Sequence, residues 1–212
     1  MLVGERMSKP VITISPDMPI TEAVNLFKKE HIRRAPVVKD GKLVGIVTEG
    51  NLMNASPSAA TTLSIWEMNY LLSKIKVSEL MTKNVMTVTE DTPIEQAARI
   101  MADNKIGGLP VLRDGHVVGV MTETDLFKLL LELMGAREMG VRVTALLTDK
   151  PGTLADLSQA IASQKGNVVA FGVFTGEDSS NKMVTFKVQG LGLEKVKQAI
   201  QPYVKEILDI RS

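Results

Sequence analysis

The chain has 212 residues, of which 44% are hydrophobic and 23% charged, with a formal net charge of +1 and no cysteine. That length suits one large domain or two modest ones, apolar enough to bury real cores and too mixed in charge to be disordered. The missing cysteine excludes disulfides, thiolate metal sites and cysteine nucleophiles, and the near-zero charge gives no general attraction to nucleic acid or membrane.

Met1–Met7 lacks a basic region followed by an apolar stretch, so no signal peptide is expected. The longest apolar runs, around Val168–Phe174 and Leu129–Leu131, are too short to span a bilayer, and a cytoplasmic protein is the expectation. A β-like stretch at Val11–Ile14 leads into a helix whose apolar residues Ile20, Ala23, Val24 and Phe27 fall at helical spacing. A hairpin follows, Ala35–Val38 then Leu43–Val47, around Asp40-Gly41, a pair suited to the positive φ of tight turns. A second helix starts after Thr48, so the unit reads β-α-β-β-α.

The unit is then written again. Met7–Thr13 returns as Met81–Thr87, an offset of 81 − 7 = 74. Pro19 meets Pro93, Pro36 meets Pro110, Gly41 meets Gly115, Gly45 meets Gly119, Thr48 meets Thr122 and Leu52 meets Leu126 at the same offset. About 18 of about 46 aligned positions are identical, which identifies an internal duplication. In the second copy Val85–Val88 is the first strand, and Thr92-Pro93-Ile94-Glu95 supplies an N-cap, a first-turn proline and a glutamate three residues on. Ile94, Ala97, Ala98 and Met101 then mark the helix, and Asp114-Gly115 the hairpin turn. Between the copies, Asn54–Thr62 reads as a loop. Leu63, Trp66, Tyr70 and Leu71 then line one helix face, with Trp66 expected in the core or at a dimer interface rather than stacked on a base.

After Leu126 a helix runs from Phe127 to about Arg137 and ends near Gly140. Val141–Leu147 is then a strand, Asp149–Gly152 a sharp turn, and Thr153 the cap of a helix carrying Leu154, Leu157 and Ile161. Strands at Val168–Phe174 and Lys182–Val188, a helix at Gly192–Ile200 and a strand at Val204–Ile210 complete β-α-β-β-α-β, a ferredoxin-like sandwich. The fold class is mixed α/β and α+β. Domain boundaries are expected at 1–137 (repeats about 7–55 and 77–137, connector 56–76) and 138–212.

The chemistry gathers where each hairpin runs into its following helix. In Gly119-Val-Met-Thr122-Glu-Thr124-Asp125 a strand ends at a helix N-terminus, which favours an anion. Thr122 is suited to donate to a phosphate and Asp125 to accept from ribose hydroxyls. Thr-x-x-Asp is equally a helix capping box. The duplication and the shared Gly-x-x-Thr approach tilt the reading toward a ligand. Elsewhere no nucleophile–base pair, metal-spaced cluster or phosphate-gripping glycine loop is found. His31 and His116 do not recur between copies and read as surface residues.

These residues carry a resemblance. Asp-x-Pro-Ile, Ile-x-x-x-Pro-Val, Asp-Gly-x-x-Val-Gly and Thr-Glu-x-(Asp/Asn)-Leu, present in both copies, resemble cystathionine-β-synthase (CBS) domains paired as a Bateman module over residues 1–130. The resemblance implies clefts that bind AMP, ADP, ATP or S-adenosylmethionine. By that resemblance the second-copy motif offers Thr87, Ile106, Gly107, Gly108, Leu109, Pro110, Thr122, Thr124 and Asp125. The first-copy motif offers Thr13, Ile32, Arg33, Arg34, Ala35, Pro36, Thr48 and Asn51. Asn51 replaces the expected aspartate and is still able to accept a hydroxyl proton, while Arg33 and Arg34 either contact phosphate or are surface charge. Residues 141–210 resemble an ACT domain through Asp149-x-Pro-Gly152-x-Leu154 and Asn167-Val168, which implies dimerisation or an amino-acid site built on those residues. Two CBS repeats followed by an ACT domain resemble the bacterial acetoin-utilisation regulatory proteins.

The expectation is therefore a non-catalytic, homodimeric regulator that senses an adenine nucleotide, acts on an unknown protein and binds neither nucleic acid nor membrane. The competing expectation is a dimeric adaptor with degenerate ligand sites, favoured by Asn51 and Gly107-Gly108. An enzyme acting on a bound nucleotide has no residue to argue for it, and a DNA-binding regulator has no basic stripe.

Overall fold

The computed structural model describes residues 1–55 and 64–212. The expected connecting loop beyond Ala55, and Leu63, lie outside the described residues. The chain divides into two compact units, Met1–Leu126 and Phe127–Ser212.

The first unit opens with a helical turn, α1 (Val3–Arg6), before the helix α2 (Ile20–Glu30), the strands β1 (Arg34–Lys39) and β2 (Lys42–Thr48), and α3 (Glu49–Asn54). After α4 (Ile65–Lys74) the plan repeats as α5 (Val77–Leu80), β3 (Val88–Thr89), α6 (Ile94–Asn104), β4 (Gly108–Arg113), β5 (His116–Thr122) and α7 (Glu123–Leu133). Each long helix buries one face, with Ile20, Ala23 and Phe27 in α2 and Ile94, Ala97 and Met101 in α6. Each hairpin turns on an Asp-Gly pair with positive φ, 50° and 75° at Asp40-Gly41 and 50° and 79° at Asp114-Gly115, the geometry of the favoured two-residue turn. The leading strands are shorter than expected: Ile14 makes only a bridge to Val37, and β3 has two residues.

The duplication extends further back than the motifs. Val3-Gly-Glu-Arg-Met7 and Val77-Ser-Glu-Leu-Met81 keep the offset of 77 − 3 = 74, and each segment serves the other copy. Val3 and Gly4 donate backbone N–H groups to Thr92 and Glu90, both at 2.9 Å, as Val77 and Ser78 do to Met18 and Pro16. Ser8 pairs with Val120 and Thr82 with Ile46. The first free amide of α6, at Ile94, donates to the Met1 carbonyl at 3.3 Å, and that of α2, at Ile20, to the Ile75 carbonyl at 3.0 Å. Helix starts are thus satisfied by exchanged backbone rather than by side chains. Accordingly Thr92 does not cap α6: Pro93 holds the cap position and the Thr92 hydroxyl accepts from the Thr89 amide at 3.1 Å.

The exchange explains two motif glycines. A Cβ on Gly45 would stand 2.5 Å from Met81 Sδ and 3.0 Å from the Thr82 carbonyl, and one on Gly119 would collide with Met7 Sδ. Each glycine is the floor on which the other copy's methionine lies.

The second unit starts within α7, which ends at Leu133 rather than near Arg137 because Gly135 turns left-handed at φ 56°. Then come β6 (Val141–Thr148), α8 (Thr153–Ser163), β7 (Asn167–Thr175), β8 (Asn181–Gln189), α9 (Leu193–Ile200) and β9 (Glu206–Arg211). The antiparallel sheet has the order β7-β8-β6-β9, the ferredoxin-like arrangement. Leu157 and Ile161 of α8 and Val196 and Ile200 of α9 meet Val143, Leu147, Val184, Phe186 and Val188 of the sheet in one core. Each such fully buried side chain contributes about 1.5–3 kcal/mol of transfer free energy. Thr153 is not the cap of α8. Gly152 is, at φ 91°, and the Thr153 hydroxyl donates to the Lys150 carbonyl at 3.1 Å.

Candidate functional site

The Thr-x-x-Asp pair closes a complete cap. Asp125, 7% exposed, accepts from the Thr122 amide at 2.9 Å and the Thr122 hydroxyl at 2.7 Å, both on Oδ2. Ser8 Oγ reaches both oxygens, at 3.1 Å from Oδ1 and 3.3 Å from Oδ2. In the first copy Asn51 Oδ1 takes the same place, accepting from the Thr48 amide at 2.9 Å and the Thr48 hydroxyl at 2.7 Å. The amide oxygen must sit there because the Thr48 N–H can only donate. What Asn51 has outside the cap is therefore its NH2, a donor, where Asp125 presents an acceptor. Both threonine hydroxyl protons point to these residues, so donation to a phosphate requires the cap to rearrange.

A cavity of about 390 Å³ draws on both copies: Arg34 and Thr48 from the first, Lys105, Ile106, Gly107 and Gly108 from the second, and Thr82 and Asn84 from the exchanged segment. Residues that the sequence groups by copy are thus mixed by the fold. A second cavity, about 720 Å³, lies between α2 and α3 and includes Ile32 and Arg33. Thr13, Asn51, Thr87, Thr122, Thr124 and Asp125 line neither, and Ala35, Pro36, Leu109 and Pro110 are buried in their strands.

Arg33-Arg34 and Gly107-Gly108, which face each other at the same repeat position, act together. A Cβ on Gly107 would stand 2.7 Å from Arg34 Nη1 and 2.8 Å from Glu123 Oε2, and one on Gly108 would stand 2.6 Å from Arg34 Nη1. The glycines make room for the first copy's guanidinium. Burial pulls Arg34 below its ordinary basicity, against the opposing attraction of Glu123. Arg33 Nη2 donates to Thr124 Oγ1 at 3.4 Å. Sequence reasoning missed Ser8, Thr82 and Glu123; the constant offset, followed back to Val3 and Val77, was the signal that leads to the first two.

In the second unit, Asp149 pairs with Lys182 at 3.2 Å, Gly152 holds the turn, and Leu154 is exposed. Asn167 and Val168 begin β7. A cavity of about 230 Å³ beside the turn is lined by Thr148, Lys150, Thr153, Asp156, Tyr203 and Lys205 among others, and by none of the five expected residues. Trp66 is 85% exposed on α4, so it is not a core residue. Among the described residues no cluster suits a metal ion, and no helix is long and apolar enough to cross a membrane.

Two copies of one α/β unit, each completed by the other's leading segment and sharing a cavity, make a paired-repeat module, followed by a ferredoxin-like domain. The chain belongs to the CBS-domain family: the CBS domain family model matches residues 3–58 and 77–132, and the TTHA0829-like ACT domain model matches 139–211. A CBS domain-containing protein of Dictyostelium discoideum is 35% identical over 136 residues, which are 63% of this chain and 94% of that protein. A CBS domain pair crystallised with 5′-methylthioadenosine and S-adenosyl-L-methionine is 33% identical at TM-score 0.52, over 65% of this chain and 98% of that one. CBSX2 in complex with AMP is 28% identical at TM-score 0.52, over 62% of this chain and 97% of that one. AcuB of Vibrio cholerae, assigned to acetoin utilization, is 26% identical at TM-score 0.54, over 65% of this chain and 96% of that one. Enzymes also carry the module: inosine-5′-monophosphate dehydrogenase of Thermoplasma acidophilum is 35% identical over 119 residues, but those are 21% of its length.

Proposed function

We propose that this chain is a non-catalytic regulator whose CBS pair, residues 1–137, senses an adenosine phosphate, with the ACT domain, 138–212, serving dimerisation or amino-acid sensing. The carrying observation is the composite cavity, whose lining includes Arg34 and Lys105, with Glu123 beside Gly107 offsetting only part of that positive charge. Such a lining favours phosphate over the sulfonium of S-adenosylmethionine. The ligands of the related pairs support an adenosine moiety. A cavity composed of both copies gives a ligand the means to prefer one arrangement of them, which regulation requires. Exposed Phe127, Leu130 and Leu131 on α7 support a homodimer.

A second reading, a dimeric adaptor, is favoured by one observation: both Thr-x-x-Asp/Asn pairs are satisfied as helix caps by the protein alone. Thermal unfolding with AMP, ADP, ATP and S-adenosylmethionine separates the two. A ligand at about 100 times its Kd adds roughly 2.7 kcal/mol, or about 5–11 °C in Tm at this size. The sensor reading expects such a shift with a phosphorylated ligand, and a flat response to all four selects the adaptor.

A further inference from the structure

The cavity of about 720 Å³ between α2 and α3 shares no lining residue with the composite cavity among the described residues, and neither Thr48 nor Asn51 lines it. Its size is within the roughly 300–1,000 Å³ range of small-molecule pockets. Val24, Ile32 and Met53 give it apolar walls, and Met53 is 67% exposed. Lys28 and Arg33 bring two fixed cations to the same cavity, against one carboxylate, Glu49. Lys28 makes no ion pair among the described residues. The Glu49 amide donates to the Arg33 carbonyl at 2.8 Å, which ties the Arg33 backbone to the start of α3. Its guanidinium is held far less firmly, by one bond of 3.4 Å to Thr124 Oγ1. The duplication shows that the fold does not require these cations. At the offset of 74, Glu49 has Glu123 opposite it, but Lys28 has Ala102 and Arg33 has Gly107; only His31, opposite Lys105, has a basic counterpart.

We infer that this cavity is a separate ligand site of the first copy, for a small organic monocarboxylate with an apolar body. The apolar walls take the body, and the planar fork of Arg33 takes the carboxylate through two parallel N–H donors. Lys28 adds a second positive charge. Two cations disfavour an amine head group, and Glu49 leaves too little positive charge for a dianion. A carboxylate is a stronger partner for a guanidinium than a neutral hydroxyl, so the ligand draws Arg33 away from Thr124. Thr124 stands beside Asp125 in the second-copy motif, and the site therefore acts on that motif as well. This second step rests on the adenosine-sensing reading above. Withdrawing and neutralising Arg33 removes positive charge beside the motif, so the acid and an adenosine phosphate weaken each other's binding, reciprocally.

The test is calorimetric titration of the full chain with octanoate, octylamine and octanol, repeated with Arg33→Gln and Lys28→Gln, each variant first checked for a native melting curve. Octanoate is expected to saturate the parent, with octylamine and octanol at least about tenfold weaker. Arg33→Gln should weaken octanoate about tenfold, the scale of one charge-assisted hydrogen bond, and Lys28→Gln by less. AMP titrated in the presence of saturating octanoate should bind the parent severalfold more weakly than without it. Absence of octanoate saturation up to low millimolar concentration, octylamine binding equally well, or Arg33→Gln binding octanoate as the parent does overturns the site. Met53→Lys converting a dimer to a monomer in sedimentation velocity assigns the cavity to a second copy of the chain and overturns it too. Octanoate binding that leaves AMP affinity unchanged overturns the coupling alone. A parent that binds octanoate but no adenosine compound upholds the site, while the sensing reading and the coupling fail together.

Discussion

Asp125→Asn rebuilds the second copy in the image of the first, and the structure says what should change. The cap should survive, because Asn51 already accepts the same bonds from Thr48 at 2.9 and 2.7 Å, and its own amide donates the return bond to Thr48 Oγ1 at 3.2 Å. Two bonds to a charged acceptor become bonds to a neutral one, a loss of about 2–3 kcal/mol in total, or about 4–12 °C in Tm. Asp125→Ala instead removes the acceptor and leaves the Thr122 amide and hydroxyl and Ser8 without their partner. Loss of a cap, about 0.5–2 kcal/mol, plus unsatisfied donors in a site where Asp125 is 7% exposed, makes this variant the less stable by a further 1–3 kcal/mol. Outside the cap Asn presents a donor to a ribose hydroxyl where Asp presents an acceptor, so adenosine-ligand affinity should fall about tenfold, or 1.4 kcal/mol. Differential scanning calorimetry gives the stability order and titration the affinity. Equal melting temperatures for the two variants would refute the cap geometry, and an unchanged ligand affinity in Asp125→Asn would refute Asp125 as an acceptor for ribose hydroxyls.

Met7→Ala should destabilise the second copy, since Met7 is buried over Gly119; a buried Met→Ala change removes about 2–5 kcal/mol, and amide exchange at Val120 should quicken. A melting curve like the parent's would mean that the exchanged segment contributes little. Arg34→Gln should weaken AMP about tenfold and leave adenosine unchanged, the signature of a phosphate contact; equal loss of both ligands would assign Arg34 to structure instead. Phe127→Lys with Leu131→Lys should shift a dimer toward monomer in sedimentation velocity, and a parent chain that is already monomeric would remove α7 as the interface.

The hairpins and the ferredoxin-like order were legible because periodicity and Asp-Gly turns are local signals. The duplication was legible because its offset never changes. The exchange of leading segments was not, because α1 and α5 are four residues each and their partners lie far away along the chain. Gly45 and Gly119 were visible as pattern, but only the methionines lying on them give the reason. Thr92 looked like a cap, yet the Met1 carbonyl does that work, and backbone partners leave no trace in residue type. Grouping site residues by copy likewise separated Arg34 from Gly107 and Gly108, which the fold joins. Asn51 and Asp125 looked interchangeable as acceptors until the cap fixed which atom each presents outside it.

The central claim, that the CBS pair of this chain senses an adenosine phosphate, is tested most directly by isothermal titration of the purified chain with AMP, ADP, ATP and S-adenosylmethionine. The account predicts saturable binding of at least one phosphorylated ligand, in preference to S-adenosylmethionine. Absence of saturable heat with all four up to millimolar concentration, where binding is worth only about 4 kcal/mol, would contradict it.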